Sequence, residues 1–139
     1  MIKSLAHLCI LSGDLNRTLD FYVGILGLRK KFDFIRNGAL FGFYLEVAPG
    51  QFIEVFHTDA PAPDRASAGS ITHLCLEVAD IDAVRGRLVA KGVEVTEKKL
   101  GADSSWQAWC KDPDGTAIEF HQYTPGSCQL TGAECVVDW

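Results

Sequence analysis

The chain has 139 residues, a formal net charge of −5 and a hydrophobic fraction of 47%. That suits one globular domain, or two small halves sharing a core, and excludes a disordered chain. No apolar run reaches the ~18 residues that cross a bilayer, and no basic run is present to meet a phosphate backbone, so neither membrane nor nucleic acid is expected as a partner.

The start, MIKSLAHLCILSGDL, lacks the long apolar region and cleavage site of a signal peptide and reads as a first strand. Its apolar, β-prone part covers residues 4–11. Asp14 follows as an N-cap candidate. Leu15, Leu19, Tyr22 and Leu26 then recur at helical spacing, and Gly27 stands where a helix C-terminal glycine belongs. Residues 28–57 read as three strands, LRKKFDFI, LFGFYLEV and QFIEVFH, with APG turning between the last two.

Residues 58–70, TDAPAPDRASAGS, have the composition of a linker. A strand over 71–78 precedes Asp80, a second N-cap candidate. Ile81, Val84 and Leu88 keep helical spacing up to Gly92. Strands are expected at about 93–100, 105–111 and 116–123, the last two joined by the turn DPDG. The tail 124–139 has no clear period. The five cysteines are odd in number and show no CxxC spacing, which suits reduced thiols in a cytoplasm.

The order is therefore βαβββ, linker, βαβββ, an α+β chain with module 1 at about 1–57 and module 2 at about 71–123 of a single domain. HLCI at 7–10 returns as HLCL at 73–76. His7 to His73 and Asp14 to Asp80 are offsets of 66; Gly27 to Gly92, Gly50 to Gly115 and Glu54 to Glu119 are offsets of 65. Five landmarks in register within one residue indicate a duplication.

The duplication singles out His7 and Glu54 in one half and His73 and Glu119 in the other. Each histidine is expected on the first strand of its module and each glutamate on the last. A carboxylate inside an apolar run is costly to bury unless something compensates, and a divalent cation does so directly. Two imidazoles and two carboxylates neutralise such an ion and leave two positions open in an octahedral site. His57 and His121 serve as a control. His121 lies two residues after its glutamate and shares its face, whereas His57 lies three after Glu54 and is expected to be peripheral.

The two βαβββ modules, DLNRTLDFYVGILGL after the first strand, FIEVF, and DPDGTAIEF near the end resemble the vicinal oxygen chelate superfamily, the glyoxalase, bleomycin resistance and dioxygenase proteins, over residues 1 to about 123. The resemblance implies half-barrel modules enclosing a divalent metal ion (Ni, Zn, Co, Mn or Fe) bound by His7, Glu54, His73 and Glu119, the ligand set of the glyoxalase I branch. It further implies a homodimer and a small substrate with vicinal oxygens. Glu119 would remove a proton next to a carbonyl, Glu54 would be the opposing carboxylate, and the ion would stabilise the enediolate.

Two positions depart from that branch. Where its members hold glutathione with an arginine and an asparagine, this chain has Leu11 and Thr58, so a charge-assisted contact is lost and glutathione use is not expected. An Fe(II) dioxygenase of the extradiol type and a non-catalytic small-molecule binder are the alternatives. Trp106 and Trp109 are candidates for an aromatic wall or for plain core.

Overall fold

A computed structural model describes residues 4–60 and 71–137 of the chain. Most of the expected linker, from residue 61 onward, lies outside the described residues, as do the last two residues of the tail. The chain divides into two compact units, Met1–Ala68 and Gly69–Trp139, each described by itself below.

In module 1, β1 (His7–Ser12) leads into a helix whose start is fixed by Asp14. One oxygen of its carboxylate accepts from the amides of Asn16 and Arg17, both at 3.0 Å, satisfying donors that have no partner within the helix. Helix α1 (Leu15–Leu19) runs directly into a π-helical turn over Asp20–Ile25, and Gly27 follows at φ +80°. Then come β2 (Arg29–Arg36), β3 (Ala39–Ala48) and β4 (Gln51–His57). The sheet order is β1-β4-β3-β2; β1 and β4 are parallel, and the other pairs antiparallel.

One sheet face packs on the helix. Phe43, Leu45, Ile53 and Val55 from the strands and Phe21 and Tyr22 from the helical segment are almost wholly buried, each contributing roughly 1.5–3 kcal/mol of apolar burial. The buried hydroxyls of Ser12 and Thr18 share a hydrogen bond of 2.7 Å beneath this layer. Gly42 sits under Phe56, where any Cβ would collide with the Val55 carbonyl oxygen.

Module 2 repeats the topology with β5 (Leu74–Glu77), α2 (Ile81–Ala90), β6 (Lys99–Leu100), β7 (Trp106–Lys111) and β8 (Ala117–Gln122), in the order β5-β8-β7-β6. Asp80 caps α2 as Asp14 caps α1, accepting from Asp82 and Ala83 amides at 3.0 Å. Ile81, Leu88, Ala108, Cys110, Ile118 and Phe120 form its core.

Two expectations are corrected in module 2, and the tail beyond it gains an element. The strand expected at 93–100 shrinks to Lys99–Leu100 plus an isolated bridge between Val95 and Cys110. Thr96 holds this stretch to β7 instead: its amide donates to the Trp109 carbonyl and its hydroxyl accepts from the Trp109 amide, both at 2.9 Å. The first strand begins at Leu74 rather than 71, leaving His73 just ahead of the ladder. The tail contains a one-turn helix, α3 (Cys128–Thr131), closed by Gly132 at φ +70°. It is pinned by buried Ser127, which accepts from the Ser105 hydroxyl at 3.0 Å, and by the Cys128 amide, which donates to the Asp103 carbonyl at 2.9 Å.

The π turn explains the single slip in the repeat. Thirteen residues separate Asp14 from Gly27, but twelve separate Asp80 from Gly92. In module 2 the Val93 amide closes the helix on the Leu88 carbonyl. In module 1 the matching bond runs from Leu28 to Tyr22 and spans one residue more, while Leu26 donates to Phe21 five residues back. A π turn is how a helix absorbs one extra residue.

Candidate functional site

Alternation along β1 and β4 puts His7, Cys9 and Leu11 on the same sheet face as Phe52, Glu54 and Phe56, away from the helix. His7 Nε2 lies 3.8 Å from Glu54 Oε2. Cys9 stands directly beside Glu54 across the parallel pair, and Tyr44 stands beside it on β3. The edge of the His7 ring meets the face of Tyr44, or the reverse, at 5.8 Å between centroids and 63° between planes.

Module 2 contains the same set. His73 Nε2 lies 3.2 Å from Glu119 Oε2. Cys75 is the residue beside Glu119 on β5, and Trp109 the one beside it on β7. His73 makes the corresponding edge contact with Trp109, at 4.9 Å and 69°. Each module thus carries a histidine, a cysteine, a glutamate and an aromatic ring in one register. The sequence expectation had the histidine and glutamate in both modules, and Trp109 only as a candidate for an aromatic wall or plain core. The other two were detectable: Cys9 to Cys75 keeps the offset of 66, and Tyr44 to Trp109 keeps 65.

The four expected ligands are therefore brought together in pairs, His7 with Glu54 and His73 with Glu119. Donors bound side by side on one six-coordinate cation, with bonds of about 2.1 Å, stand roughly 3 Å apart, so each pair fits two neighbouring positions on such an ion after small side-chain rotations. Glu119 is 6% exposed, whereas His7 and His73 keep access to solvent.

The control histidines separate as expected. His121 is buried on the face of Glu119, with Nε2 at 3.0 Å from Glu119 Oε1. His57 points from the other face and pairs with exposed Asp59 at 3.0 Å. The two tryptophans also separate. Trp109 belongs to the Glu119 face; Trp106, in register with Gln122, belongs to the opposite one, with Lys98 Nζ 4.9 Å from its ring centre.

The Glu54 face is otherwise aromatic. Phe32 stacks on Tyr44 at 4.8 Å, Tyr44 on Phe52 at 5.0 Å, and Phe34 leans on Phe56 at 4.8 Å. Module 2 has instead a pocket of about 670 Å³ lined by Val95, Thr96, Trp109, Lys111 and Ala117 among others. It shares Trp109 with the His73–Glu119 pair but includes none of the expected ligands.

The thiols beside the glutamates are held protonated. Cys75 keeps some exposure as a residue, yet partial burial of its thiol, followed by the negative charge of Glu119 and a hydrogen bond to it, pushes its pKa up to about 12. Cys9 is raised by burial and by Glu54 in the same way.

Residues 4–120 match the family model described as the Glyoxalase/Bleomycin resistance protein/Dioxygenase superfamily. The chain belongs to that superfamily, which includes enzymes as well as binding and resistance proteins. Its two four-stranded mixed sheets have the vicinal oxygen chelate fold. Among solved structures, a glyoxalase family protein from Enterococcus faecalis is similar at 25% identity, covering 86% of this chain and 97% of its own, with a TM-score of 0.74. The antibiotic binding protein TnmS3 from Streptomyces sp. CB03234 is similar at 24% identity over 88% and 98%, with a TM-score of 0.71. Lactoylglutathione lyase from Agrobacterium tumefaciens is similar at 17% identity over 87% and 94%, with a TM-score of 0.66. No curated protein sequence matches the chain. Among the described residues, no helix is long and apolar enough to cross a membrane.

Proposed function

We propose that the protein is a divalent-metal-dependent lyase or isomerase that removes a proton beside a carbonyl in a small molecule with vicinal oxygens. The observation that carries this reading is the repeated pairing of histidine with glutamate, His7 with Glu54 at 3.8 Å and His73 with Glu119 at 3.2 Å, in one register of two duplicated sheets. Under this reading the two pairs together hold one cation, drawn from modules of one chain or of two chains in a homodimer. When bound, that ion supplies Lewis-acid stabilisation of the negative charge that develops on the substrate oxygens.

Glu119 is the base. It is the more buried of the two carboxylates, and His121 Nε2 at 3.0 Å fixes its orientation from one side. A positioned carboxylate within reach of the carbon gains rate from proximity as well as from proton transfer. Glu54 is the opposing carboxylate. Tyr44 and Trp109 hold the two imidazoles by their edge contacts. Leu11 and Thr58 offer no charged contact to a glutathione carboxylate, which weighs against glutathione as part of the substrate.

The test is a proton-exchange screen over α-hydroxy and dicarbonyl compounds, run with and without EDTA. Glu119→Gln is expected to retain metal, measured by elemental analysis, while exchange falls at least about 100-fold, the lower range for loss of a general base. Full exchange in that variant removes Glu119 from the role.

A second reading, a non-catalytic binder of flat small molecules, is favoured by the aromatic face of Phe32, Tyr44 and Phe52. Ligand binding that is indifferent to EDTA, with no exchange on any compound, would select it.

A further inference from the structure

Glu119 is approached by three other donors of its own module. Cys75 stands directly across the parallel pair from it. His121 Nε2 is 3.0 Å from one carboxylate oxygen, and His73 Nε2 is 3.2 Å from the other. The Cys75 sulfur, a Glu119 oxygen and a His121 ring nitrogen all lie within 4.8 Å of one another, the group of three metal-competent donors found among the described residues.

We propose that module 2 by itself binds a thiophilic divalent cation of the Zn²⁺ type through Cys75, Glu119 and His121, with His73 as fourth donor. The argument is one of charge and geometry. A thiolate and a carboxylate neutralise a divalent ion, and the imidazoles complete a mixed S/N/O set of the kind zinc accepts at bonds of about 2.0–2.3 Å. Bringing donor atoms that lie within 4.8 Å of one another to the ~3.5 Å separations such bonds require asks for side-chain shifts of about 1 Å. Binding releases the Cys75 proton to solvent, leaving sulfur as thiolate, with no change in oxidation state. A sulfur donor favours zinc-like ions over magnesium or calcium.

Module 1 contrasts on a single residue. Cys9 stands beside Glu54 as Cys75 does beside Glu119, but the position of His121 is taken by Phe56. The soft site therefore belongs to module 2 alone. It needs neither His7 nor Glu54. In so far as it rests on the proposed catalytic role of Glu119, an ion held this way occupies the base and opposes turnover.

The test is a titration of the metal-free, full-length protein with Co²⁺, followed by displacement with Zn²⁺. The expected result is a near-ultraviolet sulfur-to-cobalt charge-transfer band that Zn²⁺ removes. Cys75→Ser should abolish the band, and His121→Gln should weaken Zn²⁺ at least about tenfold, the scale seen even for loss of outer-shell partners. Cys9→Ser and His7→Gln should keep it. Absence of the band in the native protein, survival in Cys75→Ser, or loss in Cys9→Ser would each overturn the site. The two readings fail separately: no proton exchange in metal-loaded Cys75→Ser protein, where the module 2 site is disabled, sinks the lyase, and exchange without a band in the native protein sinks the module 2 site.

Discussion

Matched position by position, the two modules keep their skeleton and exchange their contents. Phe43 and Val55 face each other across β3 and β4; their counterparts, 65 residues on, are Ala108 and Phe120, facing each other across β7 and β8. A large residue beside a small one has become a small beside a large, on the neighbouring strand, and all four are buried. The Ser12–Thr18 hydrogen bond beneath the module 1 sheet is replaced by Val78 and Val84. On the other face, Phe52 and Phe56 give way to Ala117 and His121. The duplicated cores have exchanged a large and a small residue at one facing pair, and the opposite faces have diverged in chemistry, one aromatic and one rich in metal-competent donors. What stayed in register on those faces is the set of histidine, cysteine, glutamate and aromatic ring.

The sharpest way to break this comparison is to force one module to take the other's packing. Phe43→Ala should cost about 3–5 kcal/mol in chemical denaturation, as for other buried phenylalanines. Adding Val55→Phe, which copies the Ala108–Phe120 arrangement into module 1, should recover part of that loss. If the double variant is no more stable than Phe43→Ala, the exchange is not compensatory. Phe32→Ala, at a residue 44% exposed on the aromatic face, should cost far less, under about 1 kcal/mol.

A second contrast is set by pH. Cys110 occupies the core position that Leu45 holds in module 1. Burial, then the charge of Asp112, raises its pKa from 9.0 to about 11. The folded state thus favours the neutral thiol. Its contribution is fully present below pH 9 and is lost as the pH rises towards about 11, where the unfolded chain ionises first. The share of Cys110 in the fall over that window is roughly 3 kcal/mol at most, added to that of Cys75, which is raised in the same direction, and Cys110→Ala should reduce the fall by its share. An unchanged slope in that variant would assign the loss elsewhere.

The smallest effects should be equal ones. Asp14→Ala and Asp80→Ala remove the same two amide contacts from α1 and α2, and each should cost about 1 kcal/mol by thermal or chemical denaturation. A clear inequality would show that the helix running into the π turn depends on its cap differently from the regular one.

Much of this was legible in the residues because the signals are local. Asp14 and Asp80 announce helix starts by their own side chains. Gly27, Gly50, Gly92 and Gly115 all adopt positive φ, a conformation that glycine takes without strain. QFIEVFH matches β4 residue for residue, since a turn bounds it on one side and its alternation is uninterrupted. The histidine and glutamate of each module were visible as recurring residues, but their pairing depended on β1 lying beside β4 and β5 beside β8, which the order of elements along the chain does not give. The rest depended on partners distant in sequence. Val93–Leu100 looks like a strand, but its residues are held by Thr96 rather than by a full ladder. Tyr44 and Trp109 gain meaning only once the antiparallel register sets them beside the glutamates. The tail reads as formless because its anchor, Ser127, matters through Ser105, twenty-two residues away.

The π turn has a consequence for how such a duplicated chain tolerates length changes. A strand that gains one residue turns every later side chain to the opposite side; Glu54 would then point into the helix-packed layer and Val55 towards His7. A helix has no such parity. By taking the surplus residue between Tyr22 and Leu28, the helical segment leaves the phase of β3 and β4 intact, and acidic and aromatic positions downstream of it still coincide with those of the sister copy.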